Sequence, residues 1–97
     1  MQKNLVIIAL VRARTGAEAE LLAAQKTLVQ ASRKVPGCVR YELNLASDGS
    51  GRIAFTEQWE SAALWHQHME SAHMQIFRDK AGHLIAEFEL LQMQQIA

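Results

Sequence analysis

Cysteine and proline are almost absent: the 97-residue chain has one of each, Cys38 and Pro36. A lone cysteine excludes a disulfide within these residues and any zinc site built from several thiolates, and it suits a reducing, cytoplasmic setting. Cys38 follows a Pro-Gly turn and has no histidine near it in sequence, so it reads as a small apolar residue and not as a nucleophile. Charge of one sign is also lacking. Ten basic and ten acidic side chains cancel, with no run of either sign, which argues against nucleic acid or an anionic lipid surface as partner. There is no long hydrophobic run. The apolar stretch Leu5 to Val11 stops at Arg12 and Arg14, well short of the roughly 20 residues that span a bilayer, and no small-residue cleavage site follows it. It reads as a buried strand, with no membrane association expected. Phosphate loops and a Gly-x-Ser-x-Gly elbow are missing, and Gly49 and Gly51 fall in a hairpin turn, so neither a dinucleotide site nor a hydrolase is supported. The length suits one domain, residues 1–97.

What is present is a clear succession of periodicities. Asn4 to Arg14 is apolar on both alternating sets, as in a strand covered on both faces. Ala17 to Lys34 places Leu21, Ala24, Leu28, Ala31 and Val35 at helical spacing and ends at Pro36-Gly37. Cys38 to Ala46 alternates, with Val39, Tyr41, Leu43 and Leu45 against Arg40, Glu42 and Asn44. After the turn residues 47–51, Arg52 to Trp59 resumes with Ile53, Phe55, Glu57 and Trp59 on one face, predicting a hairpin. Ser61 caps a helix reaching about Ser71, a short helix covers His73 to Lys80 before Gly82, and Glu87 to Gln95 forms a last strand.

Strand, helix, strand, strand, helix pair, strand is the order of an α+β, ferredoxin-like split βαβ fold with an antiparallel sheet. Helices then cover one sheet face and leave the other bare. Because the first strand is apolar on both faces, a second copy of the chain is expected to cover the bare face, giving a homodimer.

Unusual residues concentrate in the third strand and the helix after it: Glu57, Trp59, Trp65, His66, His68 and His73. Leu64 and His68 are four apart, as are Trp65 and Met69, so this stripe should face the sheet while His66 is solvated. His68 and His73 are five apart across a helix break at Ser71-Ala72, and spacing leaves open whether they converge. The His-x-His and His-x₄-His spacings can ligate metal, but no pair stands at i, i+4 on one helix face and only Glu70 could support them, so no metal is expected. Phe55 and Trp59 suit either core packing or a ligand wall. Glu57, on an apolar strand face, must be paired, protonated or functional.

The run Val35-Pro36-Gly37-Cys38-Val39-Arg40-Tyr41-Glu42-Leu43, then Phe55 to Ser61, then His68 and Ser71-Ala72-His73, resembles the antibiotic biosynthesis monooxygenase family in its Pro-Gly-Cys-x-x-Tyr, Glu-x-Trp and His-x₄-His pattern. The resemblance implies a dimeric α/β-barrel with a pocket between the sheet and helices of each protomer. It implies oxygenation of small aromatic quinols or polyketide anthrones by dioxygen, with no metal, flavin or haem cofactor. It also implies that Trp59, His68, His73, Glu57 and Tyr41 surround the pocket. In that setting His68 is the candidate base, with Glu57 or His73 fixing its tautomer, and Phe55, Trp59 and Trp65 lie against the substrate. Haem-degrading relatives carry an iron-binding histidine where this chain has the Arg78-Asp79 region, which disfavours haem chemistry. Two alternatives stand beside the oxygenase: a small-molecule isomerase of the kind that processes quorum signals, and a non-catalytic dimeric ligand-binding module.

Overall fold

The computed structural model describes residues 5–97; Asn4, where the first strand was expected to begin, lies outside them. The elements are β1 (Leu5–Ala13), α1 (Glu18–Ser32), β2 (Cys38–Leu45), β3 (Ile53–Trp59), α2 (Ala62–Met69), α3 (Ala72–Ala81), a 3₁₀ turn (Gly82–Leu84) and β4 (Ile85–Gln94). The strands form one antiparallel sheet in the order β2-β3-β1-β4, so the α+β ferredoxin-like arrangement is realised. β4 begins two residues earlier than its sequence pattern suggested, because the 3₁₀ turn at Gly82 delivers the chain straight into it.

Period-two alternation sends Ile7, Ala9 and Val11 of β1 and Ile53, Phe55, Glu57 and Trp59 of β3 under the helices, and all seven are buried. The other set of β1, Val6, Ile8 and Leu10, lies on the open face beside Leu91 and Met93 of β4, and within the single chain it is only partly covered.

Two details depart from the alternation read in the sequence. Register shifts between Cys38 and Arg40 make Val39 the extra residue of a β-bulge. Val39 is therefore half-exposed, while Cys38 takes the position opposite Trp59 and is partly buried. The inward face of α1 is also rotated. Leu21 and Leu28 are buried as expected, but the positions alongside them are Gln25, Val29 and Ser32, while Ala24 and Ala31 are only partly buried and line a cleft against α3. The cause is that α1 packs on two neighbours, the sheet and α3, so its buried surface is wider than one stripe.

The approach of α2 to the sheet is set at Gly37. This residue has φ of +89°, and a Cβ there would collide with the side chain of Leu64. Its carbonyl also accepts the Glu60 amide at 2.8 Å, tying the start of β2 to the chain that leads into α2. Gly37→Ala is expected to lower stability by roughly 1–3 kcal/mol, from positive φ and overpacking together. Thermal denaturation checks this; an unchanged Tm would mean that Leu64 and the turn yield freely.

Candidate active site

Three elements build one buried cluster. β3 supplies Phe55, Glu57 and Trp59, and the cross-strand partner of Glu57 on β2 is Tyr41. The Tyr41 ring lies edge-on to Phe55 (5.8 Å), Trp59 (6.4 Å) and His68 (5.5 Å). Ser61 starts α2 by accepting the Leu64 amide at 3.1 Å. That phase brings His68, in the last turn, onto the Trp59 ring at 4.8 Å with 1% of its surface exposed, and leaves His66 outside. Trp65 is buried in the same core, but its ring neighbour is His66 and its indole N–H has no partner among the described residues.

Sequence spacing left the relation of His68 and His73 open; the structure brings them together. Ser71 separates α2 from α3, and its hydroxyl donates to the His68 carbonyl at 2.6 Å. The same oxygen accepts the Met74 amide at 3.3 Å, capping α3, and lies 3.2 Å from His73 Nε2. His73 Nε2 is also 3.1 Å from His68 Nδ1.

From these contacts the proton positions can be assigned. The only proton of Ser71 Oγ goes to the His68 carbonyl, and on that basis His73 Nε2 is assigned as the donor, shared between Ser71 Oγ and His68 Nδ1. His73 then carries its proton on Nε2, and His68 Nδ1 accepts from it. A neutral His68 consequently holds its own proton on Nε2, the atom that is buried without a partner. Resting His68 offers a hydrogen-bond donor to the interior, and not the lone pair that a base at that atom would need.

Burial shifts both imidazoles toward the neutral form. Burial, followed by the neighbouring His73 and Arg78 charges, lowers the His68 pKa to about 4, and burial lowers that of His73. Glu57 goes the other way. Burial raises its pKa to about 7, opposed by hydrogen bonds from Trp59 and Tyr41. Trp59 Nε1–H donates to Glu57 Oε1 at 2.9 Å, so the partner of Glu57 is an indole and not Arg40, which lies on the open face beside Glu42 at 3.8 Å. Burial, then the Glu57 charge, pushes the Tyr41 phenol up, and burial does the same to the Cys38 thiol, which makes it a poor nucleophile at neutral pH.

Tyr41, Phe55, Glu57, Trp59, His68 and His73 thus form one contiguous group. Sequence reasoning missed Ser71, whose signal was its place before a helix start, and it missed the wholly buried Gln25 and Ser32 of α1. Among the described residues no three His, Cys, Asp or Glu side chains gather as a metal-ligand set. In the Arg78-Asp79 region, Arg78 donates to the Met69 carbonyl at 2.7 Å and Asp79 accepts from Gln75 at 2.8 Å. A cleft of about 260 Å³ between α1 and α3 has His73 in its wall. No described helix is long and apolar enough to cross a membrane.

The family model for antibiotic biosynthesis monooxygenases matches residues 4–80. Among solved structures, PA3566 from Pseudomonas aeruginosa is 27% identical with a TM-score of 0.93, covering 100% of this chain and 98% of its own. SO0527 from Shewanella oneidensis is 27% identical with a TM-score of 0.89, covering 98% and 93%. A structure named as an antibiotic biosynthesis monooxygenase has a TM-score of 0.88 and covers 96% and 99%, but at 21% identity it bears on the fold alone. A curated relative, the uncharacterized protein sll1783 of Synechocystis, is 23% identical over 93 residues, and the chain spans 63% of its length.

Two measurements check the protonation pattern. Ring ¹⁵N spectra at pH 7 are expected to show His68 protonated at Nε2 and bare at Nδ1; the opposite tautomer would overturn the reading. Glu57 ionises near 4.5 in the unfolded chain and near 7 in the folded one, so between these values only the unfolded state gives up its proton. Wild-type stability should therefore fall as pH rises through that window, by about 3 kcal/mol in full. Glu57→Gln should lack this fall and gain on wild type as pH increases. A wild-type-to-variant difference in Tm that stays constant with pH would mean that Glu57 ionises normally.

Proposed function

The chain belongs to the antibiotic biosynthesis monooxygenase family, and on that premise we propose that it oxygenates a planar, electron-rich phenol or quinol with dioxygen and no bound cofactor. The observation that carries this reading is the pairing, inside one aromatic cluster, of a carboxyl poised near neutrality with a neutral imidazole whose free N–H faces the interior. Glu57 takes the phenolic proton. His68 Nε2–H donates to the oxygen that becomes negative, His73 holds that tautomer, and Tyr41, Phe55 and Trp59 wall the aromatic anion. Burial keeps water away, so the anion can pass an electron to dioxygen. The stoichiometry needs no outside reductant: a quinol and dioxygen give a hydroxyquinone and water. His68, the base expected from sequence alone, becomes the donor in this scheme, and Glu57 becomes the base.

A carboxyl base beside a neutral imidazole donor also suits proton transfer next to a carbonyl, which keeps an isomerase as the second reading. Enzyme-dependent dioxygen uptake with a panel of quinols separates the two, and binding without turnover would favour a non-catalytic module. With an accepted quinol, kcat/KM should rise with pH to a plateau above about 7 and should fall about 10²-fold to 10⁴-fold in Glu57→Gln. His66→Ala should leave it unchanged. A rising limb near pH 4 instead would return the base to His68.

The open sheet face supports a homodimer, with Val6, Ile8, Leu10, Leu91 and Met93 as the apolar surface that a second copy would cover. Sedimentation at micromolar concentration should give a dimer, and Ile8→Lys should give a monomer or insoluble protein. A wild-type monomer would remove this assignment.

A further inference from the structure

His68 is sealed from solvent, but its neighbour His73 is not. One side of the His73 ring meets His68: the 3.1 Å between His73 Nε2 and His68 Nδ1 is a hydrogen-bond distance, with one proton between the two nitrogens. The other side meets the cleft of about 260 Å³ between α1 and α3, where the ring stands in a wall with Ala24, Leu28, Ala31 and Phe77. His73 is only partly buried, and its Nδ1 has no hydrogen-bond partner among the described residues. Unlike His68 Nε2, that nitrogen is not closed off from water. Two imidazoles in series therefore join a buried nitrogen in the aromatic cluster to an open one at the surface. Fixing the tautomer of His68 needs a single donor, which an amide could supply. A ring with one nitrogen on His68 and the other open to water does more, because an imidazole takes a proton at one end and releases one at the other.

We propose that the His73–His68 pair is a proton relay between the buried site and water, with His73 Nδ1 in the α1–α3 cleft as its outer end. Its place in the reaction rests on the oxygenase reading above; its path rests on the ring geometry alone. As the substrate anion gives two electrons to dioxygen and a carbon–oxygen bond forms, the resulting peroxide oxygen takes the proton of His68 Nε2. His73 Nε2 passes its proton to His68 Nδ1, and His73 Nδ1 takes one from water in the cleft. Both rings stay neutral and finish in the opposite tautomer. The proton that Glu57 took from the phenol leaves by the same three steps in reverse, carried to His68 Nε2 by the water formed in the reaction. It neutralises the hydroxide left in the cleft and restores both tautomers, so no net charge crosses the relay and neither ring has to flip. His73 acts through His68 and does not touch the substrate. The cations nearby, Lys80 in the cleft wall and Arg78, whose charge reaches His68, favour this neutral transfer over a charged imidazole.

Two measurements test the relay, and the first needs no substrate. Diethylpyrocarbonate acylates an open imidazole nitrogen, so the wild-type chain should be modified at His73 Nδ1. The acyl group leaves His73 Nε2 without a proton to donate, and ring ¹⁵N spectra should then show His68 switched from Nε2–H to Nδ1–H, a change made in the cleft and read at the buried ring. An unmodified His73 beside a modified His66, which is exposed, would overturn the relay, as would a modified His73 that leaves His68 unchanged. The second measurement uses an accepted quinol. His73→Gln keeps an N–H donor for His68 Nδ1 but cannot pass a proton on, so kcat should fall by about 10²-fold with KM nearly unchanged. In His73→Ala, added imidazole should restore kcat in proportion to its concentration, whereas pyrrole, an N–H donor of the same size with no acceptor nitrogen, should not. Wild-type kcat in His73→Gln, or equal rescue by pyrrole and imidazole, would reduce His73 to holding a tautomer and overturn the proposal. Should the variants fail to fold, or should wild type take up no dioxygen with any quinol, which would remove the oxygenase reading, the acylation result on the wild-type chain decides the relay by itself.

Discussion

The hydroxyl of Ser71 is the joint on which the site turns. One oxygen closes the last turn of α2 through the His68 carbonyl, opens α3 through the Met74 amide, and meets His73 Nε2. These contacts fix the angle between two short helices that would be marginal alone. They also convert a backbone junction into a statement about protons. With the serine proton spent on a carbonyl, His73 is assigned as the donor, and the orientation of the His68 protons follows from that assignment. A residue whose conventional role is to cap a helix thereby selects the tautomer of an imidazole that it does not touch through its ring.

Glu57 and His68 share the environment of Trp59, yet burial shifts their pKa values in opposite directions. Desolvation disfavours charge on either group, which raises a carboxyl and lowers an imidazole. At pH 7 His68 is therefore uncharged and Glu57 about half ionised, its charge met by hydrogen bonds and not by a counter-ion within the core. The structure bears out this economy: Arg40 faces the open side of the sheet, and the hydrogen bonds to Glu57 come from an indole and a phenol. The arrangement costs stability at neutral pH, because folding holds Glu57 where its ionised form is disfavoured.

Much of the fold was legible because its strands obey a strict two-residue period. Ile53, Phe55, Glu57 and Trp59 could be assigned to one buried face from spacing alone, and the inward turn of His68 followed from helical spacing to Leu64. The family pattern pointed to the same cluster. The convergence of His68 and His73 was not legible, because it depends on how the chain bends at Ser71, and a helix break has no fixed period. Val39 was misplaced because a bulge inserts one residue and inverts every parity on its far side. Gln25 and Ser32 were missed for another reason. Polar residues are normally assigned to the wet side of a helix, and only the contact of α1 with both sheet and α3 shows that its wet side is narrow.

The strand order has a consequence for how the chain acquires this structure. β1, the first strand in sequence, lies in the interior of the sheet between β3 and β4, and its pairing with β4 joins Leu5 to Gln94. The β2–β3 hairpin and α1 can form from neighbouring residues, but β1 has one unpaired edge until the last described strand arrives. Closing so large a loop is an entropic barrier, so folding should be limited by the search for β1–β4 contact and not by helix formation. During that interval the most apolar strand of the chain has an open edge, which makes the wait for β4 the period of greatest exposure to aggregation.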